Sequence, residues 1–287
     1  MSHVDKTIQT NLRSLGPEEA RLVLALAARR ASVVTARQAA QLLGDEKKAR
    51  NAVRRLLQKG WLQRASNGHY VVLPAEWGSE KIEDFDIYVL ASASVENGYV
   101  GWWAAASRHG FTTQVPNIIH VATDRQVPPR LIQDNPVRYV KLAPRKFFGW
   151  EDMPSFGRTF RVSSTKKTLV DCIDRPDLCG GPTELARIVT RAVESVSPSE
   201  AVETAIKNGS VSTSQRLGFL VDLIAPDYLT PEARGRLRSF IPLSAKSIFG
   251  RPERSEHDIG YVSDWGLFVN VDETDLFAEA QRPSAVR

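Results

Sequence analysis

The stretch "ARNAVRRLLQKGWLQRASNGHYVVL", residues 49–73, limits the possible folds more than any other part of the chain. A basic amphipathic segment runs straight into two short apolar–polar alternations, Trp61 to Ala65 and His69 to Leu73. Ser66-Asn67-Gly68 joins them. Asn-Gly is the strongest short-range hairpin signal, because both residues tolerate positive φ. A helix followed by a polar-tipped hairpin is thus expected.

Two more helices are expected upstream. Gly16-Pro17-Glu18-Glu19 starts the first, since proline suits a first helical turn and acids there favour the helix dipole. Leu22, Val23, Leu26 and Ala27 then recur at helical spacing. The second starts at Thr35, where "TARQ" fits a capping box closed by Gln38, and stops at Gly44. Asp45 can cap the third, which runs to about Gln58 and ends at Gly60. At 100° per residue, Ala49, Ala52, Val53, Leu56 and Leu57 share one face of this third helix and should pack on the first two. Lys47, Asn51, Arg54 and Gln58 form a stripe on the opposite face, with Lys48 and Arg55 beside it. A solvated face usually mixes charge signs, yet after Glu46 this helix contains no acid. Arg, Lys, Asn and Gln are also the side chains that pair with guanine and adenine edges or with phosphate. Three helices and a hairpin in this order predict a winged helix-turn-helix. Its third helix would lie in the major groove, and its wing would bring Arg64, Asn67 or His69 to the backbone or minor groove. Some winged helices bind proteins instead; the basic stripe favours double-stranded DNA.

Charge is distributed to match. Residues 1–75 carry 13 Lys and Arg against 5 Asp and Glu, whereas the remaining 212 residues are slightly acidic. A basic module joined to a larger effector domain shows this asymmetry. The expected division is therefore 1–75, a DNA-binding domain, and 76–287. No apolar run approaches the roughly 20 residues of a membrane span, and "MSHVDKTIQT" lacks the core of a signal peptide. The expectation is a cytoplasmic protein with no membrane partner. Cys172 and Cys179 lack metal-site spacing and are too few for a disulfide framework.

Beyond Pro74 the pattern predicts mixed helices and strands without a repeat, an α+β chain overall. Val100 to Arg108 reads as a buried helix; "IIHVAT", "VRYVKLA", "TFRVSS" and "WGLFVN" read as strands. Helices are expected from "LVDCI" onward, over Thr183–Ser195, Ser199–Lys207, Ser214–Ile224 and Thr230–Phe240.

Catalytic motifs are weak. No HExxH, GxSxG or phosphate-binding loop occurs. Gly78-Ser79 followed by Asp84-x-Asp86 resembles the nucleotide and magnesium site of a nucleotidyltransferase, but four residues between Ser79 and Asp84 are too few for the intervening helix. Asp171 and Asp174, close to Lys166 and Lys167, suit caps and ion pairs, and His109 suits a turn. No catalytic residue, metal or cofactor is expected. Between Arg130 and Lys167, nine Lys and Arg stand against three acids, with Phe147, Phe148 and Trp150 interleaved. Such a stretch suits a solvated surface, further DNA-backbone contact or an acidic protein partner.

"GWWAAASRHGFTTQVPNIIHVAT" resembles the segment that follows the winged helix in AbiEi-type antitoxins. "FRVSSTKKTLVDCIDRPDLCGG", "QRLGFLVDLI" and "WGLFVN" resemble later segments of that family, in the same order, over residues 10–272. The likeness is to its actinobacterial branch. This resemblance implies a transcriptional repressor of its own promoter that also counteracts a nucleotidyltransferase-type toxin, encoded beside it, directly or indirectly. The DNA role maps onto Lys47, Lys48, Asn51, Arg54, Arg55, Gln58 and the wing residues Arg64, Asn67 and His69. For the antitoxin surface, the basic residues Arg138, Lys141, Arg145, Lys146, Lys166 and Lys167 are the candidates. A ligand-sensing winged-helix regulator is the alternative, and a nucleic-acid-targeted nucleotidyltransferase the more remote one.

Overall fold

The computed structural model describes residues 14–29, 31, 33–73, 86–155 and 158–280. Two compact units emerge: one contains the chain up to Asn97 with Ile132–Asp134 and Met153–Phe160, and the other contains the rest. Gly78, Ser79 and Asp84 lie outside the described residues. Asp86 is a helix cap: its carboxylate accepts from the Tyr88 N–H at 2.9 Å and from the Ser155 hydroxyl.

The first unit begins with α1 (Pro17–Ala28), β1 (Val33–Thr35), α2 (Ala36–Leu43) and α3 (Glu46–Gln58). Local chemistry sets these ends. The Thr35 hydroxyl accepts from Gln38 N–H at 3.1 Å and the Gln38 side-chain oxygen Oε1 accepts from Thr35 N–H at 2.8 Å, closing the capping box. Gly44 stops α2 at φ +72°. Asp45 caps α3 through Lys48 N–H at 2.8 Å. Ala49, Ala52, Val53 and Leu56 are buried among Leu22, Leu26, Val34 and Leu43, with Leu57 packed at the margin. The hairpin follows as β2 (Leu62–Ser66) and β3 (His69–Val72).

Two details depart from the sequence reading. β1 makes a third strand, antiparallel to β3, in a sheet of order β1-β3-β2. Three residues carry too little pattern to announce a strand; its partner makes it one. At the hairpin tip only Gly68 has positive φ, at +77°, and the register shifts between Arg64 and Ser66. The turn is thus a bulged one with a single left-handed residue, rather than one that uses both. Gly68 C=O accepts from Ala36 N–H at 2.8 Å, which pins the tip to the start of α2. In the same unit α4 (Ile87–Ala93) packs on β2 and β3, and the Ser66 hydroxyl donates to Ser94 C=O at 2.9 Å.

The second unit is larger. β4 (Gly98–Val100) precedes α5 (Trp102–Arg108), so Val100 belongs to a strand and the helix starts only after Gly101. β5 (Ile119–Thr123), β6 (Arg130–Ile132), β7 (Asn135–Lys141), β8 (Trp150–Ser155) and β9 (Arg158–Ser163) come next in the chain, with Ile132, Met153–Ser155 and Arg158–Phe160 belonging to the first unit. β5 runs parallel to β7 and antiparallel to β4, which pairs parallel with β9 at Val100 and Val162. A helical layer comes next: α6 (Thr165–Asp174), α7 (Pro182–Ala192), α8 (Pro198–Asn208), α9 (Val211–Ile224) and α10 (Pro231–Phe240). β10 (Ser247–Gly250), β11 (Asp258–Val262) and β12 (Leu267–Asp272) form a small sheet, β10-β12-β11, and α11 (Glu273–Ala280) follows. One apolar core joins α5 to α10 with this sheet, and Trp265 is buried within it. Among the described residues no helix is long and apolar enough to cross a membrane.

Candidate nucleic-acid interface

The side of α3 turned away from the core carries Lys47, Arg54 and Gln58 in the open and Asn51 half-buried. The burial of Ala49, Ala52, Val53 and Leu56 on the opposite side fixes that orientation. Lys47 and Arg54 make no ion pair with any described residue. A cation held in the open on a packed helix can reach phosphate or base edges at little reorganisation cost.

Lys48 and Arg55 behave differently. Both point along the flank of α3 toward α1. Lys48 Nζ lies 3.8 Å from Glu18, and Arg55 Nε lies 2.6 Å from Glu19 Oε1. Lys59 Nζ approaches Glu19 Oε2 to 2.6 Å, and Gly16 N–H donates to the same oxygen at 2.9 Å. Glu19 is almost wholly buried. Burial alone would raise its pKa, but Lys59, the Gly16 amide and Arg55 together outweigh burial and hold the carboxyl below its ordinary range. Arg55 is therefore a strut between α3 and α1 before it is anything else. The 100° wheel put it beside the stripe; only the position of α1 shows what it meets.

This arrangement has an acid signature. A carboxyl whose folded pKa is depressed contributes stability above its unfolded pKa and loses it as pH falls through the folded value. Protection factors of the α1 and α3 amides, measured against the intrinsic exchange rate at each pH, should thus fall on acidification below about pH 4.5, the ordinary Glu range. Glu19→Gln should cost about 2 kcal/mol near neutrality and remove most of that acid dependence. Equal protection in wild type and variant at every pH would rule out the cage as a determinant of α3 placement.

On the hairpin, Arg64 is exposed with its guanidinium 6.0 Å from the Tyr70 ring centroid. Asn67 is exposed at the tip. His69 is half-buried, its Nδ1 3.2 Å from the Ser66 hydroxyl and 3.1 Å from Asn67 C=O, so that ring nitrogen organises the turn. Beside α3, a groove of about 830 Å³ opens between α2 and the hairpin tip. Arg37 and Arg50 stand in its lining, and the sequence reading assigned neither a role. Arg50 lies about 40° from Arg54 on the helix wheel, just off the stripe. Arg37 is in the first turn of α2, where a lone cation carries no periodic signal.

The basic residues expected at a surface of the second unit differ in burial and in partners. Lys167, expected at a surface, is completely buried. It is ion-paired with Asp171 one turn along α6, and its Nζ sits 4.5 Å from the Phe148 ring centroid. Lys146 is tied to Asp174 at 2.6 Å, and Lys166 to Glu200 at 3.1 Å. Arg138, Lys141 and Arg145 are exposed. The run from 138 to 167 crosses strands, a turn and a helix start, so sequence proximity alone does not set their exposure. His109, at the end of α5, has its Nε2 2.7 Å from Ser163 C=O at the end of β9, so the ring ties two distant segments together rather than closing its own turn.

Residues 21–72 match the family described as "Transcriptional regulator, AbiEi antitoxin", and residues 99–223 match the one described as "AbiEi antitoxin C-terminal domain". No curated protein matches the chain. Among solved structures, the RV2827C protein from Mycobacterium tuberculosis is 18% identical, with a TM-score of 0.54 over 93% of this chain and 95% of that one. At that identity the likeness is one of fold.

Proposed function

We propose that this chain, which belongs to the AbiEi antitoxin family, represses the promoter of its own gene and counteracts a cognate nucleotidyltransferase-type toxin. The family combines DNA-binding regulation with antitoxin activity. The observation that carries the first half is the stripe Lys47, Asn51, Arg54 and Gln58, acid-free and held outward by a packed helix. In this reading α3 enters the major groove. Arg54 and Asn51 are the base-reading pair, since guanidinium and carboxamide make two-point contacts with guanine and adenine. Lys47 and Gln58 meet the flanking backbone, and Arg64 and Asn67 on the wing meet the phosphates beyond. The protein acts by binding, without a catalytic residue, metal or cofactor. The antitoxin role falls to the second unit, where Arg138, Lys141 and Arg145 are exposed and Lys166 is exposed but paired with Glu200, as cations for an acidic surface.

Binding of the full chain to a duplex from upstream of its own gene tests this, with a shuffled duplex as reference. Arg54→Ala and Asn51→Ala should each weaken specific binding by about 1–3 kcal/mol, roughly 5- to 150-fold, and narrow the gap to the shuffled duplex. Wild-type affinity in both variants would end the assignment of α3. Co-expression with the toxin separates the two halves: the Arg54→Ala/Asn51→Ala chain should lose repression and still restore growth. Loss of both together would mean that neutralisation runs through the DNA-binding unit.

A further inference from the structure

We infer that the groove between α2, the first half of α3 and the hairpin tip seats one DNA strand by its phosphates, gripped by Arg37 and Arg50. This rests on the DNA-binding reading above and adds a contact of a different kind, blind to base sequence.

Shape is the first argument. The groove, about 830 Å³, has a floor of small or buried side chains, Ala40, Ala49 and Val53 among them. Its walls are built before any ligand arrives, because the Ala36 N–H to Gly68 C=O bond ties the hairpin tip to α2. A backbone can settle close to such a floor, and preformed walls leave little ordering cost. The second argument is charge. Arg37 and Arg50 are exposed and make no ion pair with any described residue, whereas Lys48, Arg55 and Lys59 on the other flank of α3 have acidic partners on α1. Two flanks of one helix are thus equipped for different work: one holds the fold and the other is left for an anion. Asp45 and Glu46 line one end of the groove. The Asp45 carboxylate is engaged with the Lys48 amide. Glu46 lies a helical turn before Arg50, so the phosphate sits at the Arg50 end. The third argument is position. Arg50 lies about 40° around the helix from Arg54, so a strand in this groove runs beside the bases that the stripe would read.

The test is a salt titration of the full chain on two duplexes, one from upstream of its own gene and one shuffled. Arg37→Gln and Arg50→Gln are exposed substitutions, and unchanged melting curves confirm intact folds. Each should weaken binding to both duplexes by a similar factor. Each should also flatten the plot of log affinity against log salt by about 0.9, so that the fall from 50 to 200 mM shrinks about threefold. Glu46→Gln should tighten both duplexes. Wild-type affinity and slope in Arg37→Gln and Arg50→Gln, with binding still lost in Arg54→Ala, would overturn the groove while leaving the recognition helix intact. Loss confined to the specific duplex would make these arginines base readers and overturn it too. If wild type binds neither duplex, the groove falls together with the parent reading.

Discussion

Lys167→Ala is expected to cost the second unit about 3–5 kcal/mol at pH 8, as removing one partner of a buried ion pair does. The lysine is fully buried in the first turn of α6. Its ammonium is met by the Asp171 carboxylate and the Phe148 ring. Around the pair, Asp171 Oδ2 and the Tyr99 hydroxyl are buried without a hydrogen-bond partner, and burial together with the Asp171 carboxylate holds the Tyr99 hydroxyl well above the usual phenol range. Burial pushes the Asp171 pKa up to about 6 even though Lys167 opposes the shift. A carboxyl raised in the folded state favours folding when protonated, so its cost grows from the unfolded pKa to the folded one as pH rises. In the wild type that window runs from about 4 to about 6. Without Lys167 the folded pKa moves higher still, and the deficit should shrink as pH falls toward 5. Thermal melts of wild type and Lys167→Ala at pH 8 and pH 5 give the result. A variant that melts like wild type at pH 8 would mean that the ammonium reaches water. Replacing both partners, Lys167→Met with Asp171→Leu, should recover most of the loss because no uncompensated charge stays buried.

The second large effect centres on Trp265. Its ring is almost fully buried; its indole N–H donates to Asp222 at 2.8 Å, and Arg238 stands 5.1 Å from the ring centroid. Trp265→Ala should cost about 4 kcal/mol, read as a shift of the urea midpoint. Gly218 explains the fit. A Cβ there would sit 2.5 Å from Trp265 Cδ2 and Cε2, so the indole lies flat on the bare backbone of α9. Alanine at a helix interior ordinarily gains about 1 kcal/mol over glycine. Here Gly218→Ala should instead destabilise by about 2 kcal/mol, overpacking outweighing propensity. In a Trp265→Ala background the sign should reverse and the propensity gain reappear. Additive effects of the two substitutions would show that ring and helix do not share this contact.

How much of the site the residues announce varies along it. The stripe on α3 is legible because its positions repeat with the helical period and a single apolar face fixes the helix roll. Arg55 and Lys48 share that charge signal, yet they differ from Arg54 in use, because Glu18 and Glu19 arrive from a helix some thirty residues earlier. Arg37 and Arg50 were missed for the complementary reason: they become a pair only when the hairpin tip closes the groove between their helices. Lys167 shows the opposite failure. Composition places a lysine at the surface, and a buried partner one turn away reverses that preference.

By itself the sequence determined what neighbours in the chain can decide: the caps at Thr35 and Asp45, the stops at Gly44 and Gly60, the hairpin at Asn67-Gly68 and the two faces of α3. Those signals act through hydrogen bonds and side-chain spacing within a few residues, so they survive without knowledge of the fold. Only the tertiary structure decided that β1 and β10 are strands, since segments of three or four residues gain their hydrogen bonds from partners well along the chain. It alone decided which cations of α3 are struts and which stay open. A side chain's charge is written in the sequence, but its counter-charge is placed by packing.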